Sequence, residues 1–461
     1  MTDLDTVLAA ADAALPASLE RLQRLVAIPS ISTDPAFAGK VRDAANWLKA
    51  DLEALGFSTS LRETPGHPVV IGHDHATPGP RVLFYGHYDV QPVDPLNLWH
   101  TDPFVGTIVE GDGAPARMVG RGTSDDKGQL LTFIEACRAY KAVRGKLPVG
   151  VTILLEGEEE TGGVNLPGAL TAARAELETA DIALVCDTDM WDEKTPAIVT
   201  MLRGLVGEEI ELTCASHDLH SGMYGNAARN PIQVLAEIIA SLRNPDGSVA
   251  IAGFYDDVAE LPAEIAALWK RLPYDEAGFL KGAGLTTPAG EHGRSVLEQT
   301  RARPTCEING IWGGYTAEGF KTVIPAKAHA KISFRLVSGM DPDKIRAAFR
   351  AHVEARLPPD AKVSFRMHGG SPAVSVPTDG PLLKKAAAAL ADEWGREAAI
   401  IGSGGSIPVA GDFKRILGLD TLLIGFARDD DRIHSPNEKY DIESFHRGIR
   451  SWIRVLDAFA R

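Results

Sequence analysis

The chain has 461 residues, of which 44% are hydrophobic and 24% are charged, and its formal net charge is −15. This composition is typical of a globular enzyme with two or three domains, and interspersed charges with an acidic excess argue against a nucleic-acid partner. No apolar run approaches the ~18 residues of a membrane span, and the acidic first residues lack the basic start of a signal peptide, so we expect a cytoplasmic protein without membrane contact. The four cysteines include no CxxC pair, which argues against a thiolate zinc site and against a disulfide framework.

The first predicted elements alternate between helix and strand. Residues 17–27 have an amphipathic helical pattern that stops before Pro29, and residues 41–55 repeat that pattern up to Gly56. An apolar strand follows at 82–85, and a third helix is predicted over 127–144. Two further apolar strands end in carboxylates, within the segments VGVTILLEGEEE and ADIALVCDTD. This order predicts an α/β domain with a mainly parallel sheet and helices on both faces.

The middle of the chain has a different pattern. Segments 207–215, 304–314 and 326–337 alternate like half-exposed antiparallel strands, and helical segments at 231–243 and 342–356 lie between and after them. From about residue 372 the α/β pattern resumes. We therefore predict a discontinuous catalytic domain over 1–204 and 372–461, with an α+β domain inserted at 205–371.

Polar side chains follow the ends of the predicted parallel strands. His87 and Asp89 follow one strand, Glu159 and Glu160 follow the next, and Asp187 follows a third. Ligands of open α/β sheets bind outside the carboxyl ends of the strands. Because residues i and i+2 of a strand share a face, Asp89 could orient a metal-bound His87, although a polar pair that merely caps the strand is the alternative.

Further acidic and histidine positions have the same kind of setting. Four glutamates occur among residues 156–160, and such crowding at a buried strand end is unfavourable without cations or protons, although a solvated surface loop would also tolerate it. Asp125 and Asp126 lie in a glycine-rich turn before a helix, where either metal ligands or N-caps are expected. His434 follows the predicted strand TLLIGFA.

Two histidines and at least three carboxylates, without thiolates, suit zinc, manganese or cobalt. Two cations that share one carboxylate would activate a water and polarise a carbonyl, and a free glutamate beside them would transfer protons. The pattern therefore predicts a hydrolytic centre with two divalent metal ions, for which zinc, manganese and cobalt are the candidates.

The motifs occur in the order of a known family. They are HYDVQP, DPF, GRGTSDDKG, EEETG, LHSG, KTVIPAKA, RLV, GGSIP and HSPNEK. Together they resemble the co-catalytic metallopeptidases that include carnosinases, cytosolic non-specific dipeptidases, aminoacylases and succinyl-diaminopimelate desuccinylases. The resemblance extends over nearly the whole chain and is closest to the dipeptidase branch.

The resemblance implies a role for each residue of the centre. The implied metal ligands are His87, Asp125 as the bridge between both ions, Glu160, Asp187 and His434. Glu159 is implied to be the general base, and Asp89 the carboxylate that orients His87. The family also implies a cis peptide bond between Asp125 and Asp126.

The resemblance assigns further residues to substrate binding. His220, in the inserted domain, is implied to reach the partner subunit's active site and to stabilise the oxyanion there, so the inserted domain would be a lid and would form a homodimer. Thr322, Arg335 and Ser406 are implied to contact the substrate. An arginine suits a bidentate grip on a carboxylate, which implies substrates with a free C-terminal carboxylate.

These roles imply a metal-dependent hydrolase of dipeptides or short peptides, which acts through a metal-bridging water and a glutamate base. An N-acyl-amino-acid deacylase is the alternative within the family, and a non-catalytic binding protein of the same fold is the alternative outside enzymes. The chain departs from the dipeptidase pattern at Gly163, Asn226, Gly402 and Ser403, which leaves the side-chain preference open.

Overall fold

The computed structural model describes residues 3–111, 113–405 and 407–461, which form two compact units. The first unit comprises Met1–Thr200, Val376–Ile401 and Pro408–Arg461, and the second comprises Met201–Ser375 and Gly402–Ile407. Residues 402–405 and 407 thus belong to the second unit, whereas the sequence pattern predicts that they belong to the catalytic domain.

The elements of the first unit alternate as the α/β pattern predicts. Its N-terminal part contains α1 (Asp3–Val26), α2 (Ala38–Ala54), β1 (Ser58–Arg62), β2 (Val69–Asp74), β3 (Arg81–His87), β4 (Thr107–Val109), β5 (Arg117–Val119), α3 (Lys127–Arg144), β6 (Gly150–Glu156), α4 (Leu166–Ala172), α5 (Arg174–Leu177), β7 (Ile182–Val185) and β8 (Ala197–Leu202).

The second unit is formed by the middle of the chain. It contains β9 (Gly204–Thr213), β10 (Leu219–His220), α6 (Ser221–Tyr224), α7 (Pro231–Ala240), α8 (Ala263–Trp269), α9 (Glu276–Gly282), α10 (Val296–Arg301), β11 (Thr305–Gly313), β12 (Val323–Ile324), β13 (Lys327–Leu336), α11 (Pro342–Glu354), β14 (Lys362–Ser371) and β15 (Val374–Ser375). The chain then continues with α12 (Pro381–Trp394), β16 (Ala399–Ser403), α13 (Pro408–Asp412), β17 (Thr421–Leu423), β18 (Lys439–Asp441) and α14 (Ile442–Ala460).

The large sheet has a parallel centre with antiparallel flanks. Its strand order is β1-β2-β6-β3-β7-β17-β8-β15, and β16 pairs with β8. The pairs β6/β3, β3/β7 and β7/β17 are parallel, and β1/β2, β2/β6 and β17/β8 are antiparallel. The carboxyl ends of β6, β3 and β7 therefore meet at one edge, which is where the sequence places its polar residues.

Apolar faces of α1, α2, α3, α12 and α14 form the core of the first unit together with the sheet. The helix predicted over 17–27 begins much earlier, at Asp3, and includes Pro16. Val7, Leu8 and Ala11 are buried and extend the apolar stripe of Leu22 and Leu25 by whole turns, so packing outweighs the local cost of the proline.

A small three-stranded sheet joins distant parts of the first unit. Its order is β18-β5-β4, with Lys439 opposite Val119. This pairing brings the chain just before Lys439 to the loop that follows β5. That loop leads into α3, and it carries Asp125.

The second unit contains a four-stranded antiparallel sheet of order β11-β13-β9-β14. Alternate residues of β9 and β13, among them Val206, Ile210 and Phe334, face the same core as Leu235 of α7 and Phe349 of α11. Both helices therefore cover one face of the sheet, as the alternating pattern predicts. In the part of the chain that the structure describes, no helix combines the length and the apolar character that crossing a bilayer requires.

Candidate active site

The candidate site of the first unit lies at the carboxyl ends of its central strands. His87 is the last residue of β3, which lies between β6 and β7 in the sheet. A single 3₁₀ turn, Glu159–Thr161, follows β6, and Asp187 follows β7 by two residues. Parallel pairing of the three strands thus brings these polar residues together.

Five of the predicted residues form two groups that share Asp125. One group is His87, Asp125 and Asp187, and the other is Asp125, Glu160 and His434; within each group the ligand atoms lie within 4.8 Å of one another. Asp125 Oδ1 is 2.9 Å from His87 Nε2, and its Oδ2 is 2.9 Å from His434 Nε2. The two oxygens of one carboxylate therefore face the two groups.

The remaining distances complete both groups. His87 Nε2 lies 3.8 Å from Asp187 Oδ2, and His434 Nε2 lies 3.2 Å from Glu160 Oε2. The side chains of His87 and Glu160 are 0% and 3% exposed, whereas His434 is 52% exposed. The site is therefore buried on the sheet side and open on the side of the His434 loop.

Electrostatics show that this pocket favours positive charge. Burial would raise the pKa of Asp125, but hydrogen bonds from His434 and His87 outweigh burial and hold that pKa below its usual range. Hydrogen bonds to Asp125 and Glu160 raise the pKa of His434 to about 10. Burial raises the pKa of Asp187 well above its ordinary value. Three carboxylates that are buried or partly buried face only two imidazoles, so cations would relieve their repulsion.

The donor set fits divalent metal ions. Each group offers imidazole nitrogen and carboxylate oxygen without a thiolate, which suits zinc, manganese or cobalt. The four cysteines are free, and three of them are buried. The residues present are thus compatible with two ions that share Asp125.

Asp89 lies behind His87 and belongs to neither group. The Nδ1 atom of His87 is 3.1 Å from the backbone oxygen of Asp89 and 3.4 Å from its Oδ1. Asp89 Oδ1 accepts the backbone N–H of Glu159 at 3.2 Å, and Oδ2 accepts that of Glu160 at 3.0 Å. Ser32 donates its hydroxyl to the same Oδ2 at 2.6 Å. Asp89 therefore holds His87 and the 3₁₀ turn together.

Glu159 is part of that turn and is absent from both ligand groups. Its neighbour Glu160 accepts a hydrogen bond at Oε2 from Gln91 Nε2 at 2.7 Å, so the two glutamates differ in their surroundings. Burial raises the pKa of Glu159 to about 7. The charge of nearby Glu160 also raises this pKa, whereas the charge of His87 lowers it. This carboxylate can therefore both accept and release a proton near neutral pH.

The two loops that carry Asp125 and His434 have unusual backbone geometry. The peptide bond between Asp125 and Asp126 is cis, which confirms the prediction from the motif. The backbone N–H of His87 donates to Asp126 Oδ2 at 3.0 Å. His434 itself has a φ of +62°, a left-handed conformation that residues other than glycine seldom adopt.

Three of the predicted substrate-binding residues belong to the second unit. His220 is exposed, and its Nδ1 accepts the backbone N–H of Gly222 at 3.0 Å. Thr322 lies next to it, because the backbone N–H of Ser221 donates to the oxygen of Thr322 at 3.1 Å. The structure thus brings His220 and Thr322 together at the β10/β12 pair.

Arg335 lies elsewhere in that unit, on β13 between Thr305 and Leu205. Arg203 lies between β8 and β9, two residues before Leu205, and burial together with the charge of Arg335 lowers the pKa of Arg203 to about 10. Arg203 Nε donates to the oxygen of Gly404 at 3.1 Å. Ser406, which the resemblance assigns to the same pocket, lies outside the described residues.

A model of peptidase family M20/M25/M40 matches residues 83–458 of this chain. The chain belongs to this family. The match contains all five residues of the two ligand groups and also Glu159 and Asp89. Membership confirms the predicted family, and the chain of this peptidase family contains two residue groups that could hold a metal ion.

The relatives of this M20 chain include several dipeptidases. The Cys-Gly metallodipeptidase dug1 of Schizosaccharomyces pombe is 32% identical over 458 residues, which is 95% of either chain. The Beta-Ala-His dipeptidase of Homo sapiens is 30% identical over 373 residues, which is 80% of this chain and 73% of that protein. These relatives support the predicted dipeptidase branch.

Solved structures share the fold of this M20 chain over its whole length. The dipeptidase Dug1p of Saccharomyces cerevisiae has a TM-score of 0.79 with 29% identity, and covers 100% of this chain and 99% of that one. The M20 metallo-carboxypeptidase Sso-CP2 of Sulfolobus solfataricus has a TM-score of 0.82 with 33% identity, and covers 96% of this chain and 99% of that one. The likeness confirms the predicted α/β fold with an inserted α+β domain.

Sequence reasoning missed several residues that hold the M20 site in place. Ser32 bonds to Asp89, Gln91 bonds to Glu160, and Glu438 accepts the backbone N–H of Asp125. Gln91 lies inside the motif HYDVQP and Glu438 lies inside HSPNEK, so the two motifs could have identified both residues. Ser32 lies in a loop more than 50 residues before Asp89, and nothing in the local pattern distinguishes it.

Proposed function

We propose that this chain is a dinuclear metallopeptidase that hydrolyses the amide bond of dipeptides next to a free C-terminal carboxylate. The observation that carries the proposal is the pair of ligand groups joined by Asp125, with Glu159 beside them. The proposed ligands are His87, Asp125 as the bridge, Glu160, Asp187 and His434. The dipeptidases among the relatives support the choice of substrate.

Two divalent cations, zinc first and manganese or cobalt as alternatives, would supply Lewis acidity that acidifies a water and polarises the scissile carbonyl. Glu159 accepts the proton of the attacking water at its carboxylate and later returns it to the leaving amine nitrogen. Asp89 keeps this carboxylate in place through the backbone of the turn. The hydrolysis thus uses one residue as both base and acid.

The second unit is proposed to bind the substrate. Arg335 suits a bidentate grip on the C-terminal carboxylate, and Thr322 and Ser406 would contact the same molecule. His220 would donate a hydrogen bond to the developing oxyanion from the partner subunit. Because the partner subunit would supply His220, this arrangement requires a homodimer.

A specific surface supports dimerisation through the inserted domain. β11 is an edge strand of the four-stranded sheet, and it exposes Ile308, Ile311 and Trp312. Exposed apolar side chains on an unpaired edge are typical of an interface with another strand. We propose that β11 pairs with the same strand of a second copy.

Longer peptides are the second candidate substrate, because the Sulfolobus solfataricus carboxypeptidase is 33% identical to this chain. An N-acyl-amino-acid deacylase shares the same proposed chemistry and differs in the acyl pocket. An intact Glu159 beside complete ligand groups argues against a non-catalytic protein.

A substrate panel tests the proposal. The purified protein would be loaded in parallel with zinc, manganese or cobalt and assayed on Cys-Gly, β-Ala-His, tripeptides, and N-acetyl and N-succinyl amino acids. We expect dipeptides to be cleaved faster than acylated amino acids, and C-terminally amidated dipeptides to be poor substrates. Equal cleavage of amidated and free dipeptides would contradict the role of the carboxylate, and preferred cleavage of acylated amino acids would favour the deacylase.

A further inference from the structure

Glu438 is fully buried, and its carboxylate accepts several hydrogen bonds from the loop that precedes α3. Its Oε1 accepts the backbone N–H groups of Ser124 at 2.9 Å and Asp125 at 3.1 Å. Its Oε2 accepts the backbone N–H of Gly122 at 3.0 Å and Arg121 Nη1 at 2.7 Å. One carboxylate thus fixes three backbone positions of the loop that carries the shared ligand.

The same two segments are joined at a second point. Ser124 donates its hydroxyl to Asp431 Oδ2 at 2.8 Å, and Lys439 Nζ lies 2.9 Å from Asp431 Oδ1. His434 is between Asp431 and Glu438 in the chain. The His434 loop is therefore bound to the Asp125 loop on both of its sides.

The His434 loop needs such support because of its backbone. Arg432, His434 and Asn437 have φ values of +58°, +62° and +64°. Residues other than glycine pay a conformational cost in this region, and they remain there only where the surroundings hold them. The carboxylates of Asp431 and Glu438 provide these contacts at either end.

We propose that Glu438 is a positioning residue that sets the separation between Asp125 and His434, and thereby shapes the ligand group that these residues form with Glu160. The inference rests on the proposed function, because it requires that this group binds a cation. A glutamine has one acceptor oxygen and one NH₂ donor, so Glu438→Gln would turn a donor toward a backbone N–H or toward Arg121. The loop would shift, although every ligand side chain is kept.

The matched control is Glu135→Gln. Glu135 is also buried in the first unit, and its carboxylate accepts the Ser18 hydroxyl at 2.7 Å, Arg21 Nε at 2.7 Å and Arg138 Nε at 3.1 Å. Both variants remove a buried carboxylate from several donors. Only Glu438 contacts the backbone of a ligand residue, so only its replacement should change cation binding.

The experiment is a calorimetric titration of the metal-free full-length protein with Zn²⁺ alone. We expect two cations in the wild type and in Glu135→Gln, and weakening of one of the two sites by about 10-fold or more in Glu438→Gln, as is usual when a residue that supports a metal ligand is replaced. If folded Glu438→Gln binds Zn²⁺ at both sites with wild-type affinity, the inference is overturned. Equal weakening in Glu135→Gln would also overturn it, because the effect would then be general destabilisation.

Amide hydrogen exchange of the metal-free proteins provides a readout that needs no cation. We expect the backbone amides of Gly122, Ser124 and Asp125 to exchange faster in Glu438→Gln than in Glu135→Gln, and unchanged exchange would overturn the inference. A wild type that binds fewer than two cations would refute the proposed function, while the exchange comparison would still test the contact. If Glu438→Gln fails to fold, Glu438→Asp replaces it, and wild-type cation affinity in that variant would overturn the inference.

Discussion

The carboxylate of Asp89 accepts the backbone N–H of Glu160 at 3.0 Å, and its other oxygen accepts that of Glu159. One side chain therefore supports the proposed base, a proposed ligand and the imidazole of His87 at the same time. The sequence motif suggested only the contact with His87. The structure adds that Asp89 joins the end of β3 to the turn after β6.

Asp89→Asn tests this relationship. An asparagine keeps one acceptor oxygen, so one of the two backbone N–H groups would face an NH₂ donor and the turn would move. We expect turnover to fall about 10- to 100-fold while two cations remain bound. Metal analysis and steady-state kinetics of one preparation would measure both quantities.

Asp181→Asn is the control for that variant, because Asp181 accepts the backbone N–H of Arg81 at 2.8 Å at the opposite end of β3. It should keep wild-type turnover. Loss of a cation from Asp89→Asn with little change in turnover per occupied site would show that Asp89 acts as a ligand.

Glu159→Gln separates chemistry from metal binding. The amide is nearly isosteric but cannot accept the proton of the attacking water, so we expect two bound cations and a loss of turnover of at least about 100-fold. Metal content and circular dichroism show whether the variant is folded and loaded. Near wild-type turnover would remove Glu159 from the mechanism.

The proposed dimer surface is tested by Ile311→Lys. Ile311 is 52% exposed on the edge strand β11, and a lysine there would place a charge in the interface. We expect this variant to sediment as a monomer in analytical ultracentrifugation. Met367→Lys is the control, because Met367 is 63% exposed on β14, the opposite edge strand of the same sheet, and this variant should remain a dimer.

Action of His220 across subunits predicts complementation between two inactive variants. His220→Ala and Glu159→Gln subunits would each be inactive alone, but a mixed dimer would contain one site with both residues intact. A mixed dimer should have about half of the wild-type activity, so we expect a 1:1 mixture with random subunit exchange to recover about a quarter of it. Confirmed mixed dimers without recovery would mean that His220 acts within its own chain.

Much of the site could be predicted because its residues follow the strands that form the sheet. His87 ends β3, and Glu160 and Asp187 follow β6 and β7, so parallel pairing brings these positions together whatever the rest of the chain does. The helical pattern over 127–144 also predicts α3 at its observed bounds, and Gly145 follows its last residue in a left-handed conformation.

Other features could not be predicted because they depend on distant contacts. The start of α1 at Asp3 depends on packing of Val7 and Leu8 against the core. The low helix propensity of Pro16 instead predicts a helix that begins after this proline. The hydrogen bond between Ser32 and Asp89 joins residues 57 positions apart. Asn226 departs from the glycine expected in its motif, yet it adopts a φ of +66°, which asparagine tolerates better than most residues.

The central claim is that two cations share Asp125, and counting bound cations tests it most directly. The protein would be stripped with a chelator, reloaded with zinc, manganese or cobalt, dialysed and analysed for metal per chain. We predict two cations per chain in the wild type and a clear loss of one in His434→Ala, together with recovery of dipeptide hydrolysis on reloading. A wild-type chain that holds one cation or none under all three metals, or that hydrolyses dipeptides equally well without metal, would contradict the account.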